Sequence, residues 1–210
     1  MSPTPLDPKQ VIALPTEGVD AAAAAIARAF YDNEIWVWTV PSELRRLRTL
    51  ERYYAATARH CWIPRGTAYV SADLRGAAFW AAPGRWEMSY REQLREAGAL
   101  LPSAGPKTLL RGMRVDAALR NNHPSEPHWY LNTLTVDPPL QRSGYGSALL
   151  EPGLARADAD GIGCYLETQR EANVPYYARF GFELTDLIEI KGGPKAWLMW
   201  RAPQPTAPAD

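Results

Sequence analysis

Leu134-Thr-Val-Asp-Pro-Pro-Leu-Gln-Arg-Ser-Gly-Tyr-Gly-Ser147 is the stretch on which the fold turns. It begins inside Trp129 to Val136, a run rich in aromatic and β-branched residues that reads as a strand. Asp137-Pro138-Pro139 makes a turn, and a glycine-containing loop then opens a helix over Gly144 to Asp160. The first turn of a helix has backbone N–H groups without intrahelical partners and carries the positive end of the dipole. Such a turn binds phosphate. Gly144 and Gly146 let the chain lie against a pyrophosphate with no side chain in the way, and Arg142 and Ser147 add side-chain donors. Other nucleotide loops use the same physics but fail here. A dinucleotide fingerprint needs a third glycine where Leu149 stands, no Gly-Lys-Ser/Thr tripeptide exists, and there is no Gly-x-Ser-x-Gly elbow.

The surrounding chain has 210 residues, 46% hydrophobic and 22% charged, a balance that fits one folded domain. Lys plus Arg equals Asp plus Glu at 23 each, so no global charge points to nucleic acid or an anionic membrane. Cys61 and Cys164 cannot form a disulfide framework or a four-ligand zinc site, and a cytoplasmic protein without a metal is expected. No signal-peptide pattern and no membrane-length apolar run occurs.

The proline-rich ends, residues 1–10 and 202–210, read as tails of a single domain. Between them the signals alternate. Val11 to Leu14 is a strand, and Val19, Ala22, Ile26 and Phe30 recur on one face of a helix over Asp20 to Tyr31. Ser42 caps a second helix whose apolar face is Leu44, Leu47, Leu50 and Tyr54, with Arg45, Arg46, Arg48 and Arg52 solvated. Thr67–Ala72 and Gly76–Ala82 are strands around a turn, and Ser89–Arg120 is helical with a break near Pro102 to Pro106. Cys164–Thr168 is a strand, Val174–Phe180 a short helix, and Glu183–Ile190 and Ala196–Arg201 are closing strands. This order implies a mixed α/β layer structure.

Gln141-x-x-Gly144-x-Gly146 after a strand resembles the coenzyme A pyrophosphate motif of the GNAT superfamily of N-acetyltransferases. A second motif, Asn173-Val-Pro-Tyr-Tyr177-Ala-Arg-Phe-Gly181-Phe182, is similar to that family's Asn…Tyr-x-x-x-Gly-Phe segment. Glu126-Pro-His-Trp-Tyr-Leu, Gly146-Ser-Ala-Leu-Leu-Glu-Pro-Gly-Leu, Leu166-Glu-Thr and Gly193-Pro-Lys-Ala-Trp-Leu-Met resemble the puromycin N-acetyltransferase subgroup. Pro152 in the second of these should kink its helix or loosen a turn.

The resemblance implies a mostly antiparallel central sheet whose fourth and fifth strands splay apart around acetyl-CoA, with helices on its faces. It places Leu134, Thr135 and Val136 against the pantetheine amides as a pseudo-strand. Gln141, Arg142, Ser143, Gly144, Tyr145, Gly146 and Ser147 would hold the pyrophosphate, and Asn173 the pantetheine arm. Tyr177 would protonate the leaving thiolate. An oxyanion donor is expected among backbone N–H groups near Val136. Glu167 is the candidate base for the incoming amine, unless it is paired with Arg170 or Arg179. Tyr31, Trp36 and Trp38 are candidates for an aromatic lid on the acceptor, in a loop between the first two helices; core packing is the competing reading.

His60, His123 and His128 are weaker candidate bases and have no metal-ligand spacing, and Cys164, whose other reading is an acyl-accepting nucleophile, reads as a small buried strand residue. The partners that the resemblance implies are acetyl-CoA and a small-molecule amine, in a monomer or a homodimer. A protein lysine or N-terminal acetyltransferase and an inactive CoA-binding sensor are the alternatives.

Overall fold

The computed structural model describes residues 7–100 and 105–204. The outer parts of both expected tails, and Pro102 to Ala104 of the expected helix break, lie outside the described residues. One sheet takes strands from along the whole chain: β1 Val11–Ala13, β2 Ala68–Ser71, β3 Gly76–Ala81, β4 His128–Val136, β5 Gly163–Thr168, β6 Phe182–Glu189 and β7 Lys195–Arg201. Their order across it is β1-β2-β3-β4-β5-β7-β6. All neighbours are antiparallel except β4 and β5, which run parallel because α6 (Tyr145–Asp160) crosses between them. Asp7 to Gln10, expected in a tail, is a turn whose Gln10 carbonyl accepts from the Ala72 N–H beside β2.

Both faces of the sheet are covered. On one lie α1 (Val19–Ala29) and α3 (Glu43–Thr57), packed on Phe79, Tyr130, Tyr165 and Leu198. On the other lies α6, packed on Trp80, Trp129, Leu131, Leu166 and Met199. A strand buried on both sides needs no polar alternation, which is why Gly76–Ala81 reads as a continuous apolar run. The helix α1 buries Val19, Ala22 and Ile26 as its periodicity requires, and its alanines let α3 approach closely.

In α3 the expected face is rotated. Leu44 is 93% exposed, and Arg46 is buried. At about 100° per residue, Arg46 lies only about 40° from Leu50 around the helix, whereas Leu44 lies about 120° away. The Arg46 guanidinium survives burial because it donates to the carbonyls of Tyr31, Val40 and Pro41. It is a structural clamp on this corner, not a solvated charge. Ser42 holds the N-cap position but makes no side-chain cap; its carbonyl accepts from Arg45 and Arg46 N–H.

The insert contributes α4 (Tyr90–Leu100) and α5 (Pro106–Asn121). The segment expected as a loop around Trp36 is the helix α2, Glu34–Thr39, capped by Asn33, whose Oδ1 accepts from the Ile35 and Trp36 N–H groups. The helix α6 continues through Pro152 from Tyr145 to Asp160, at the cost of one backbone donor. The neighbouring Gly153 is dictated by packing: a Cβ there would stand 2.1 Å from Cε2 of the fully buried Trp80.

Two stability predictions follow from these contacts. Gly153→Ala gains about 1 kcal/mol of helix propensity, but the overlap with Trp80 costs roughly 1–3 kcal/mol. The variant should therefore unfold at lower urea concentration than wild type; an equal or higher midpoint would show that Trp80 yields freely. Asp137, buried just after β4, accepts from Arg28 Nε and Nη2 at 2.9 Å each and from Arg75 Nε at 3.0 Å. The Arg28 hydrogen bonds first, and then those of Arg75, hold this carboxyl below the usual carboxylate range against the opposing effect of burial. Its stabilisation is thus complete above the unfolded value of about 3.9 and is lost as pH falls through the lower folded value. Asp137→Asn should lose roughly 2 kcal/mol near neutral pH, and its urea midpoint should converge on that of wild type in acid.

Candidate active site

The ladder between β4 and β5 stops early. Its last pair is Leu131 with Leu166; beyond it, β4 pairs only with β3, and Glu167 and Thr168 of β5 pair only with β7. The divergence coincides with a β-bulge. Thr133 faces Phe79 and Leu131 faces Trp80, which leaves Asn132 as the extra residue of β4. A bulge bends and twists its strand, so the rest of β4 turns away from β5 and a notch opens between them.

The free edge of β4 can be assigned by alternation. Asp137 N–H bonds to the Arg75 carbonyl on the β3 side, while the Val136 carbonyl accepts Gln141 Nε2 at 3.2 Å on the other. Successive residues alternate their hydrogen-bonding direction, so Leu134 shares the free edge with Val136 and Thr135 belongs to the ladder with β3. Of the expected pseudo-strand, Leu134 and Val136 present backbone groups to the notch, and Thr135 does not.

At the far end of the notch the chain makes a nest. Arg142 has φ 62° and Gly144 φ 94°, both left-handed, and α6 starts at Tyr145. Intrahelical bonding begins with Ala148 N–H to the Gly144 carbonyl, so the first-turn N–H groups before it are free for an anion. A Cβ on Gly144 would meet nothing within 4 Å, so this position borders open space. Gln141, Arg142, Ser143 and Ser147 are exposed around it. The Tyr145 side chain is committed elsewhere, its hydroxyl donating to Asp73 at 2.8 Å, and only its backbone faces the nest. This arrangement fits an extended diamide arm ending in a pyrophosphate.

Two tyrosines of α7 (Val174–Ala178) close this face. Tyr177 is buried against Phe182, and burial pushes its phenol up, so it holds its proton. Tyr176, which the motif spacing ranks behind Tyr177 as the acid, is the one that stands beside the nest. Its buried hydroxyl has no hydrogen-bond partner among the described residues, and it would lie 2.7 Å from a Cβ on Gly146. The adjacent Asn173 donates to Thr168 Oγ1 at 2.9 Å, tying the α7 entry to the end of β5.

Glu167 points to the opposite face, as Tyr165 does two residues earlier. Its side chain is 4% exposed and Oε1 has no hydrogen-bond partner; His123 Nδ1 is 3.7 Å away. The arginines considered as its partners are engaged elsewhere: Arg170 with Glu34 and the Asp32 carbonyl, Arg179 over the Tyr176 ring. Tyr130 and Tyr165 surround the carboxylate, and burial first, then the charge of Glu167, pushes both phenols up. Cys164 is buried with its thiol pushed up to about 12, chiefly by burial, which excludes it as a nucleophile.

The matched family model, described as the acetyltransferase (GNAT) family, spans residues 27–182 and so includes the nest, the notch and both tyrosines. The chain belongs to the GNAT acetyltransferase family. It is an acyltransferase, and the family's acyl donor is acetyl-CoA. It is 28% identical over 176 residues, 77% of this chain and 69% of the other, to an uncharacterized N-acetyltransferase, C550.08, of Schizosaccharomyces pombe. It shares its fold with a Corynebacterium glutamicum structure described as histone acetyltransferase HPA2 and related acetyltransferase (TM-score 0.70, 22% identity, covering 94% of this chain and 98% of that one). It also resembles arylalkylamine N-acetyltransferase 2 from Aedes aegypti (TM-score 0.55, 13% identity, covering 93% and 99%).

The lid candidates of this GNAT chain separate in space. On a helix, residues two apart diverge by about 200°, so Trp36 and Trp38 cannot form one aromatic face. Trp36 Nε1 donates to the Tyr54 hydroxyl and the ring packs on Tyr53 and Tyr54, a core position. Trp38 instead lies under Arg111 of α5 and against Gly193 of the β6–β7 turn. Tyr31 stacks on Arg46.

The nest geometry yields a binding prediction. Gly144→Glu places a left-handed Cβ and a negative charge where phosphates would sit and should abolish CoA binding without unfolding the protein. For wild type, CoA at about 100 times its Kd should add about 2.7 kcal/mol of stability. Tyr176→Phe should weaken CoA binding while turnover at saturation persists. Thermal denaturation with and without CoA reads both; a wild type that does not respond, or a Gly144→Glu that still does, would remove the nest from the site.

Proposed function

We propose that this GNAT enzyme acetylates a primary amine on a small, hydrophobic or aromatic molecule, with Glu167 as base and Tyr177 as acid. The observation that carries the reading is the buried, hydrogen-bond-free Oε1 of Glu167 beside the last β4–β5 pair. A buried carboxylate oxygen without a hydrogen bond is costly, and an ammonium at the notch would satisfy it.

Acetyl-CoA supplies the activated acetyl thioester. Around it, the edge groups of Leu134 and Val136 would bind the pantetheine amides. The first-turn N–H groups of α6, with Gln141, Arg142, Ser143 and Ser147, would bind the pyrophosphate. Asn173 would orient the arm. A backbone N–H of β4 between the bulge at Asn132 and Val136 would stabilise charge on the reacting carbonyl oxygen. Glu167 would take a proton from the ammonium on one face of the sheet, and Tyr177 would give one to the departing sulfur on the other.

The acceptor would lie against α2, α5 and the β6–β7 turn, where Trp38 contacts Arg111 and Gly193 and the apolar Val37 of α2 and Leu110 and Met113 of α5 are exposed. That surface supports a compact apolar amine over a peptide groove or a polycation.

Glu167→Gln and Tyr177→Phe should each lower kcat by about 10² to 10⁴-fold with CoA binding intact. The Glu167 variant should lose most at acidic pH, where free amine is scarce. Free-thiol release with an amine and peptide panel reads this, and normal turnover in either variant would remove that residue from the mechanism. Trp38→Ala should raise KM for an arylalkylamine while KM for acetyl-CoA stays constant, and Trp36→Ala should chiefly lower stability. Faster acetylation of N-terminal peptides or spermidine than of arylalkylamines would overturn the acceptor assignment.

A further inference from the structure

Behind Glu167 lies a pair of imidazoles that the reaction as described does not use. His128, the first residue of β4, is buried, with Nδ1 2.7 Å from the Glu126 carbonyl. A carbonyl only accepts, so His128 Nδ1 carries a hydrogen. Its Nε2 stands 2.9 Å from His123 Nε2, and one proton must lie between them. In a neutral His128 the remaining nitrogen, Nε2, is then the acceptor, and burial, the largest influence on this imidazole, lowers its pKa and so favours that form. His123 Nε2–H is therefore the donor, and His123 Nδ1 is the nitrogen turned towards Glu167. The His123 ring is held in that orientation. It stacks on Trp86 at 3.7 Å between centroids, and it meets Tyr130 and Tyr165 edge-on.

We infer that the base of this enzyme is a Glu167–His123 dyad, in which His123 receives the amine's proton from Glu167 and His128 fixes the tautomer that allows it. The inference rests on Glu167 being the base. In the first step the ammonium N–H bond breaks and an O–H bond forms on Glu167, leaving the electron pair on the amine nitrogen. In the second the O–H bond breaks and an Nδ1–H bond forms on His123, which restores the carboxylate beside an imidazolium. The proton passes to solvent when the product leaves. Charge on His123 is met by Glu167 directly and by the Trp86 face. The other titratable or charged groups around it are Tyr165 of β5, Tyr130 and His128 of β4, Glu126 of the preceding loop, and Arg120 of α5, stacked over Trp86 and paired with Glu87. In this arrangement His123 and His128 are positioning residues, because they act through Glu167.

The test combines variants with a measurement on the unaltered protein. His123→Gln keeps a donor towards His128 and removes the base at Nδ1. Its kcat should fall about 10- to 100-fold with both KM values unchanged, and the acid limb of its pH–rate profile should move to lower pH, as a carboxylate alone replaces an imidazole as the proton holder. His128→Leu removes the acceptor and should show the same loss, whereas His128→Gln, with a carbonyl in place of Nε2, should recover most of it. In wild type labelled with ¹⁵N-histidine, neutral His128 should carry its hydrogen on Nδ1 and neutral His123 on Nε2. An inactive Glu167→Gln beside a His123→Gln with an unaltered profile would overturn the dyad and leave the base standing. Normal activity in both would remove the base itself. If the variants do not fold, neutral His123 protonated on Nδ1 overturns the dyad, and the Nε2 tautomer supports it.

Discussion

The early end of the β4–β5 ladder is the constraint on which the rest of the structure depends. Every backbone N–H and C=O in a sheet needs a partner, and a parallel pair that opens after Leu131 and Leu166 leaves an unpaired edge on Leu134 and Val136. Such an edge persists only where water or another amide reaches it. The Gln141 side chain already reaches across to the Val136 carbonyl, which shows that the edge accepts an amide donor. The bulge at Asn132 produces the opening without breaking β4 itself, because β3 follows β4 around the bend and holds its other edge up to Val136. The sheet is thus continuous on one side of β4 and open on the other.

An opening of this kind is useful only if its two ends are fixed. At one end Asp137 locks the strand exit to α1 through Arg28 and to the β2–β3 turn through Arg75. Asp73 of that turn accepts the Tyr145 hydroxyl from the first residue of α6. The nest is therefore held from both sides by side chains outside it, while its own residues remain exposed. At the other end, Asn33 donates to Gln169 and Arg170 to the Asp32 carbonyl, fastening the α1–α2 corner to the chain just beyond β5. These ties cross the sheet between segments far apart in sequence, and no local pattern announces them.

That distinction explains what could be read from the sequence. The strand–loop–helix from Leu134 to Ser147 is local: glycines, a turn dipeptide and an uncapped helix start are adjacent in the chain, and the nest follows from them. The face of α1 was equally legible, since Val19, Ala22 and Ile26 obey one period. The α3 face was misread because leucine was weighted by residue type and not by angle; Arg46 sits on the buried stripe, where three carbonyls from the preceding corner replace water. The helix α2 was missed although Asn33-Glu34 is a start signal, because its short, β-branched and aromatic sequence resembles a strand or loop. His123 and His128 were set aside for lack of metal spacing. Their meaning comes from Glu167, which only the parallel register of β4 on β5 brings beside them. Asn132 gave no sign at all, since a bulge is a property of two strands and the register between them.

The same register divides the labour of the site. Along β5, Leu166 faces α6 and Glu167 faces the α1–α3 side, so adjacent residues serve opposite halves of the molecule. Tyr177 belongs to the first half and Glu167 to the second. A group that takes a proton and a group that gives one would neutralise each other if they touched. Here the sheet stands between them, and it opens at the notch, where a thioester carbonyl would have the amine on one side and its sulfur on the other. Both groups are buried, but their surroundings differ in kind. Tyr177 lies among apolar side chains that keep its proton in place. Glu167 lies among two phenols and an imidazole, and leaves one oxygen without a hydrogen bond. The asymmetry of the proposed acid and base would thus be an asymmetry of the two faces of one sheet, set by which side of β5 each residue meets.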